Sequence, residues 1–242
     1  MIPLSDDNPA DRPPIITISA IATCAAVFLY QVSLPERPSE AFALQYGAIP
    51  AVVTGRSSLP PDLAGLPASV TLLTSMFLHG GWMHLIGNML YLWIFGNNVE
   101  DAMGHLRFIL FYGLSGVLAA LSHVLIDPAS TIPMVGASGA ISGVLGAYLL
   151  LFPHAQVLVL IPFGFIARTF YVPAWIVLGL WFAMQLLSGG SSLGRPEGGG
   201  GVAFFAHIGG FIAGMLLIPL FKRREVRLFA PAHHRPWERA SW

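Results

Sequence analysis

Apolar runs long enough to cross a bilayer alternate with short polar breaks along most of the chain. A helix needs roughly 20 residues to traverse the hydrocarbon core, with about 17–25 tolerated. Ile15–Leu34 is the first such run, and Pro35 ends it. The stretch Glu36 to Thr74 is mixed, broken by prolines and glycines and too polar to span, so a structured loop is expected there. Further spans are predicted at about Gly81–Val99, Leu106–Ile126 and Met134–Phe152. The apolar stretch from Ala155 to Leu187 is too long for one span and too short for two. Pro162 and Pro173 interrupt it, with Arg168 between them, which divides it into an interfacial segment to about Phe170 and a fifth span, Val172–Leu187. The sixth, Val202–Phe221, is stopped by Lys222-Arg223-Arg224. The predicted fold is an all-α membrane protein: a six-transmembrane-helix bundle over residues 15–221 with a structured first loop. A polar segment, 1–14, precedes it and a basic tail, 222–242, follows.

Composition agrees with that reading. Of 242 residues, 55% are hydrophobic and 10% charged, against about 25% charged in soluble domains. Twelve basic residues balance twelve acidic ones, so charge gives no sign of a nucleic-acid partner. The single cysteine, Cys24, has no intrachain partner. The segment Met1 to Pro14 has two aspartates before its only arginine, unlike a cleaved signal peptide. No internal repeat is visible, and Ser188 to Gly201 is a Gly/Ser-rich stretch.

Positive charge orients the bundle. Arg12, Arg107, Arg168, Lys222, Arg223, Arg224, Arg227, Arg235 and Arg239 fall on one side, nine against the three of Arg37, Arg56 and Arg195. The positive-inside rule then places both termini in the cytoplasm, with a bacterial inner membrane as the expected location. Spans 2, 4 and 6 all start at the outer face. Polar residues within spans are costly and face the bundle interior or a wet cavity. His84 and Asn88 lie i,i+4 on span 2 and share a face. Ser138 lies about four residues into span 4 and His207 about five into span 6, roughly 6–8 Å below the outer boundary at a rise of about 1.5 Å per residue. Gly139, Gly143 and Gly146 on span 4, with Gly209, Gly210 and Gly214 on span 6, supply faces small enough for backbones to approach. Each polar residue alone has a packing explanation; four gathered at one depth do not.

Gly136-Ala137-Ser138-Gly139, the series His79, His84, Asn88, and Ala206-His207-Ile208-Gly209-Gly210 together resemble the rhomboid family of intramembrane serine proteases. The resemblance runs from about Met76 to Leu220. It implies that Ser138 is the nucleophile and His207 the general base. His84, Asn88 and the Ser138 N–H would form an oxyanion hole, and membrane-spanning proteins would be cleaved near the outer face. It also implies that the Glu36–Thr74 loop, or movement of span 5, controls access. The chemistry is coherent in its own right: an imidazole takes the serine proton and returns it to the leaving amine. No carboxylate lies within spans 2, 4 or 6, so the imidazole is expected to be oriented by packing.

Two positions depart from the family pattern. Where many members carry Trp-Arg in the first loop, this chain has Val70 and Thr71, so a differently anchored loop is expected. Where members often have an aromatic stacked on the base histidine, it has Ser142. A hydroxyl cannot stack, so His207 is expected to be looser or held by a hydrogen bond.

Other readings are weaker. His79, His84 and His105 form no HExxH pattern, and no metal or cofactor is expected. His79 is expected to cap or line the span 2 entrance and His123 to be interfacial. Glu100 and Asp101, with Arg107 close by, are expected to form a structural ion pair. The motif is not the G-x-S-x-G elbow of soluble hydrolases, since Ala140 takes the last glycine place. The Lys222–Arg227 cluster is expected to contact anionic lipid. A silent adaptor binding client helices is the alternative function, disfavoured because nucleophile and base are both present. A transporter is disfavoured because such sites lie near the bilayer midplane between repeats.

Overall fold

In the computed structural model, residues 1–163, 166–192 and 203–229 are described. Residues 193–202, including most of the Gly/Ser-rich stretch, and the tail beyond Phe229 lie outside them. A strand, β1 (Ile2–Asp6), precedes helix α1 (Ile15–Ser33). Three short helices follow, α2 (Glu36–Tyr46), α3 (Pro50–Val53) and α4 (Ala68–Thr74), then a 3-10 turn at Ser75–Phe77. Next come α5 (Trp82–Met103), α6 (His105–Ile126) and α7 (Ser138–Leu151). A hairpin, β2 (Gln156–Phe163) and β3 (Ile166–Pro173), leads into α8 (Ala174–Ser192) and then α9 (Phe204–Phe221). By length and composition four of these helices suffice to cross a membrane: α1, α6, α8 and α9. Helix α7 has only 14 residues, and α5 carries His84, Asn88, Asn97 and Asn98 among its apolar residues.

Helix α7 is the centre of the molecule. Every residue from Ala140 to Tyr148 is buried, under α5, α6, α8 and α9. Its contact with α9 is made by backbone. A Cβ added at Gly210 would overlap the Gly139 carbonyl, one at Gly214 the Gly143 carbonyl, and one at Gly146 the Phe211 carbonyl. With lipid tails as apolar as the side chains, such close van der Waals packing is what holds membrane helices together. Gly143 also meets Ser115 of α6, where a Cβ would lie 2.5 Å from the serine Cβ. By contrast Gly87 of α5 has nothing within 4 Å of its Cβ position.

The ends of α5, α7 and α9 and the starts of α1, α6 and α8 meet at a polar end of the molecule. Glu100, 1% exposed, accepts the N–H groups of Ile16 and Thr17 at 2.9 and 2.8 Å, and the Thr17 hydroxyl at 2.7 Å. Its fourth partner is His105 Nδ1 at 2.6 Å. The carboxylate thus caps α1 from another helix, satisfying orphan donors and facing the positive dipole end. Asp101 accepts the Asp11 N–H at 2.9 Å and lies 3.6 Å from Arg223 and 3.9 Å from Arg12. Arg107, the expected partner, instead donates to the Lys222 carbonyl at 3.3 Å. The reason is direction: α6 leaves a tight Gly104 turn and carries Arg107 towards the end of α9.

The protein is mostly helical but not all-α. The segment expected to be merely interfacial is a hairpin, and β1 adds to it, giving an antiparallel sheet of order β1-β2-β3. Val157 and Val159 are fully buried while Leu158 and Leu160 are half-buried, the period of two that a strand requires. The uniformly apolar run of Val, Leu and Ile conceals that period in the sequence. Asp6, paired with Val157, accepts the Tyr148 hydroxyl at 2.5 Å. Burial pushes its carboxyl up to about 6 from 3.8, the tyrosine hydrogen bond acting in the opposite sense.

Two outcomes follow. Gly214→Val should overpack the α7–α9 contact and lower the melting temperature in detergent, at a cost of about 3 kcal/mol, whereas Gly87→Val should leave it unchanged. Asp6 is neutral in the folded protein up to about pH 6 but ionises near 3.8 when unfolded. Its ionisation therefore removes stability as pH rises between those values, and the loss persists above them. Asp6→Asn keeps an acceptor for Tyr148 without the charge, so it should melt above the parent at pH 7.5 and together with it at pH 4.

Candidate active site

Helix α7 begins four residues later than the predicted span. Met134 pairs with Ala48 in an isolated antiparallel bridge, and Gly136 adopts a φ of +124°, which an L side chain rarely takes. The Gly136 N–H donates to the Ser75 carbonyl at 2.9 Å. The chain then turns sharply into the helix at Ser138, whose N–H, being in the first turn, has no acceptor within the helix.

His207 lies in the first turn of α9 and is 9% exposed. Helices α7 and α9 run in the same direction from this end, and their glycine contact brings the two first turns together. His207 Nε2 is 2.7 Å from Ser138 Oγ. Its other ring nitrogen, Nδ1, is 2.8 Å from Oε1 of Gln185 on α8. The Trp181 ring, one turn earlier on α8, lies 5.9 Å from the imidazole at 35°. The imidazole is therefore held by a hydrogen bond and by an aromatic from α8. Ser142, in the place of the expected aromatic, donates its hydroxyl to the Ser138 carbonyl at 2.6 Å.

His84 and Asn88 converge on Gly136 from α5. A Cβ on Gly136 would fall 2.6 Å from His84 Nε2 and 3.6 Å from Asn88 Nδ2. Glycine is required there on both counts, conformation and space. Asn88 Nδ2 is buried and meets no hydrogen-bond partner among the described residues. His84 Nδ1 accepts the Gly80 N–H at 3.4 Å, which leaves the proton on Nε2, facing Gly136. Three helices, α5, α7 and α9, thus bring a hydroxyl, an imidazole and two side-chain donors to one place. Beside Ser138 a cleft opens, lined by Met76, Ala120, Met134, Val135 and Ala206. This arrangement suits acyl transfer, with donors placed where negative charge would develop.

His79 borders this group through His84, and His123 lies on another helix. His79 is fixed by its backbone, whose N–H donates to Gln31 Oε1 at 3.1 Å, and its ring packs between Phe28 and His84. His123 is half-buried on α6. Gln185 and Trp181 are the residues that sequence reasoning missed. A glutamine within a long apolar span is itself a signal, since intramembrane polar groups face the interior, although it lies outside the motifs of spans 2, 4 and 6.

Comparison with known proteins adds kinship to geometry. The rhomboid domain family model matches residues 68–224. The chain is 31% identical over 153 residues to Rhomboid protein 1, mitochondrial, of Saccharomyces cerevisiae, covering 62% of this chain and 41% of that protein. It is 36% identical over 135 residues to Rhomboid protease GluP of Bacillus subtilis, covering 56% and 25%. With Rhomboid-like protein 11, chloroplastic, of Arabidopsis thaliana it shares 30% over 161 residues, covering 65% and 54%. The chain therefore spans from a quarter to about half the length of these relatives. Their names include mitochondrial and chloroplastic proteins, so kinship lends no support to a bacterial inner membrane in particular. Apolar helices and a match over most of its length place this integral membrane protein in the rhomboid family.

Proposed function

We propose that the protein is an intramembrane serine endopeptidase that hydrolyses peptide bonds in or near transmembrane segments of other membrane proteins. The observation that carries this reading is the 2.7 Å contact between Ser138 Oγ and His207 Nε2, made by residues from separate helices. In this reading Ser138 Oγ attacks the scissile carbonyl as Nε2 takes its proton. The oxyanion is held by Asn88 Nδ2, His84 Nε2 and the Ser138 N–H. His207 then returns the proton to the leaving amine, and water hydrolyses the ester by the same route in reverse. The unsatisfied donor of Asn88 supports the oxyanion assignment, because a buried polar group without a partner is costly unless a ligand or transition state uses it.

The proposed domain is a six-span unit over residues 15–221, with α5 and α7 completing the four more apolar helices. Both termini would face the cytoplasm and the serine the outer side. Short α7 fits that placement, since a helix that starts below the surface leaves room above Ser138 for water and substrate. Substrates would be single transmembrane helices, with access controlled by the 36–74 segment or by α8.

Labelling of the purified protein with a fluorophosphonate, together with cleavage of a quenched fluorogenic peptide containing one transmembrane segment, tests the reading. Ser138→Ala should abolish both signals, and His207→Ala should reduce both to background, with melting temperatures close to the parent. Undiminished labelling or cleavage by Ser138→Ala sinks the assignment. Asn88→Ala should retain labelling but lower kcat by about 10²–10³, the typical loss for one oxyanion donor.

A further inference from the structure

Ser138 can lose its proton to His207 only if Nε2 of the neutral imidazole is unprotonated, which requires the proton to sit on Nδ1. Nothing in the Ser138–His207 contact itself enforces that tautomer. A ring with the proton on Nε2 would donate to Ser138 Oγ at the same 2.7 Å and be inert as a base. The atom at Nδ1 decides between the two. It is the amide oxygen of Gln185, at 2.8 Å, and an amide oxygen only accepts.

We infer that Gln185 is a positioning residue for His207, its Oε1 accepting Nδ1–H and thereby holding the imidazole in the tautomer that can act as a base. The inference rests on the reading of Ser138 and His207 as nucleophile and base. It assigns to α8 a part in the reaction that no motif on α7 or α9 provides. Trp181, one turn away on the same helix, bounds the ring on one face and restricts its rotation. The imidazole thus has its position set by α9, its orientation by α8 and its task by α7. The chemical type of the partner also makes sense here. A carboxylate would do the same work but would add an unpaired charge to a buried site, whereas an amide adds none. A dipole stabilises the imidazolium of the transition state less than a full charge does, so loss of Gln185 should cost less than loss of a triad carboxylate.

Gln185→Met, close in shape and without an acceptor, and Gln185→Glu, which restores one, separate this role from packing. The full chain in detergent is assayed for kcat and KM with the quenched transmembrane peptide. Histidine labelled with ¹⁵N in the ring reports the tautomer, the His207 signal being identified by its loss in His207→Ala. Gln185→Met should lower kcat roughly 10- to 100-fold, the scale set by leaving one buried donor unmet, with KM within twofold of the parent. Its His207 signal should change from protonated Nδ1 to a mixture of tautomers. Gln185→Glu should recover most of kcat and the parental tautomer. Parental kcat and tautomer in Gln185→Met overturn the inference, and so does equal impairment of both variants with the tautomer unchanged, which is the mark of a packing role. If the parent protein neither labels nor cleaves, the peptidase reading fails, while the ¹⁵N measurement still decides whether Gln185 sets the tautomer.

Discussion

The molecule depends on the contact of two helix backbones. Gly139 meets Gly210 and Gly143 meets Gly214, a constant offset along two helices that run the same way. No side chain lies between them at those points, so neither helix can slide or roll without carbonyl meeting Cα. Ser138 is one residue before the first of these contacts and His207 three before it, both in the first turn. Their separation is therefore set by backbone packing rather than by flexible side chains. This kind of support makes a short hydrogen bond between distant residues reproducible. It also explains why α7 is both the shortest of the long apolar elements and the most buried. Its side chains serve as core on every face, and only its first turn is left to do chemistry.

Two groups of buried polar residues divide the rest of the structure, and they differ in how well they are satisfied. Around Glu100 every bond is made: two backbone donors, a hydroxyl and an imidazole surround one carboxylate. Such a cluster stabilises one arrangement of α1, α5 and α6 and has no bonding capacity left to offer a ligand. At the opposite end Asn88 keeps a buried donor with no partner among the described residues, and α7 opens with an uncapped N–H at Ser138. A buried donor left unmet beside an uncapped N–H is a local inconsistency placed where function is expected.

Much of this was legible in the sequence, because the physics involved is local or periodic. The apolar runs outline α1, α5, α6, α8 and α9 to within a few residues, since bilayer thickness imposes a length. The glycines at four-residue spacing on two spans indicate which pair of helices can touch. What escaped depends on partners far away in the chain. Gly136 ends the extended segment and moves the start of α7 from Met134 to Ser138, but its φ is set by Ser75 and by the bridge to Ala48. The β1 strand looks like a polar leader until it is paired with β2, and the β2 run is apolar enough to pass for part of a span. Proximity along the chain pairs Arg107 with Glu100 and Asp101, whereas Arg223 and Arg12 reach Asp101 from both ends of it.

The place of Ser142 shows how one departure in a motif is answered elsewhere. Without an aromatic one turn after the serine, the imidazole has no ring from α7 to lean on. The structure supplies both substitutes from α8, a ring from Trp181 and an acceptor from Gln185, one turn apart and hence on one face. Ser142 meanwhile is buried and returns its hydroxyl to the Ser138 carbonyl. Moving the support from α7 to α8 has a physical consequence. Helix α7 is immobilised on all sides, while many side chains of α8, among them Trp175, Leu180, Met184 and Leu187, are exposed and would face lipid. A base whose orientation is anchored in the more loosely packed helix is only as rigid as that helix. The competence of the proposed Ser138–His207 pair is then tied to how α8 sits, and the most exposed long helix beside the site becomes part of its catalytic geometry.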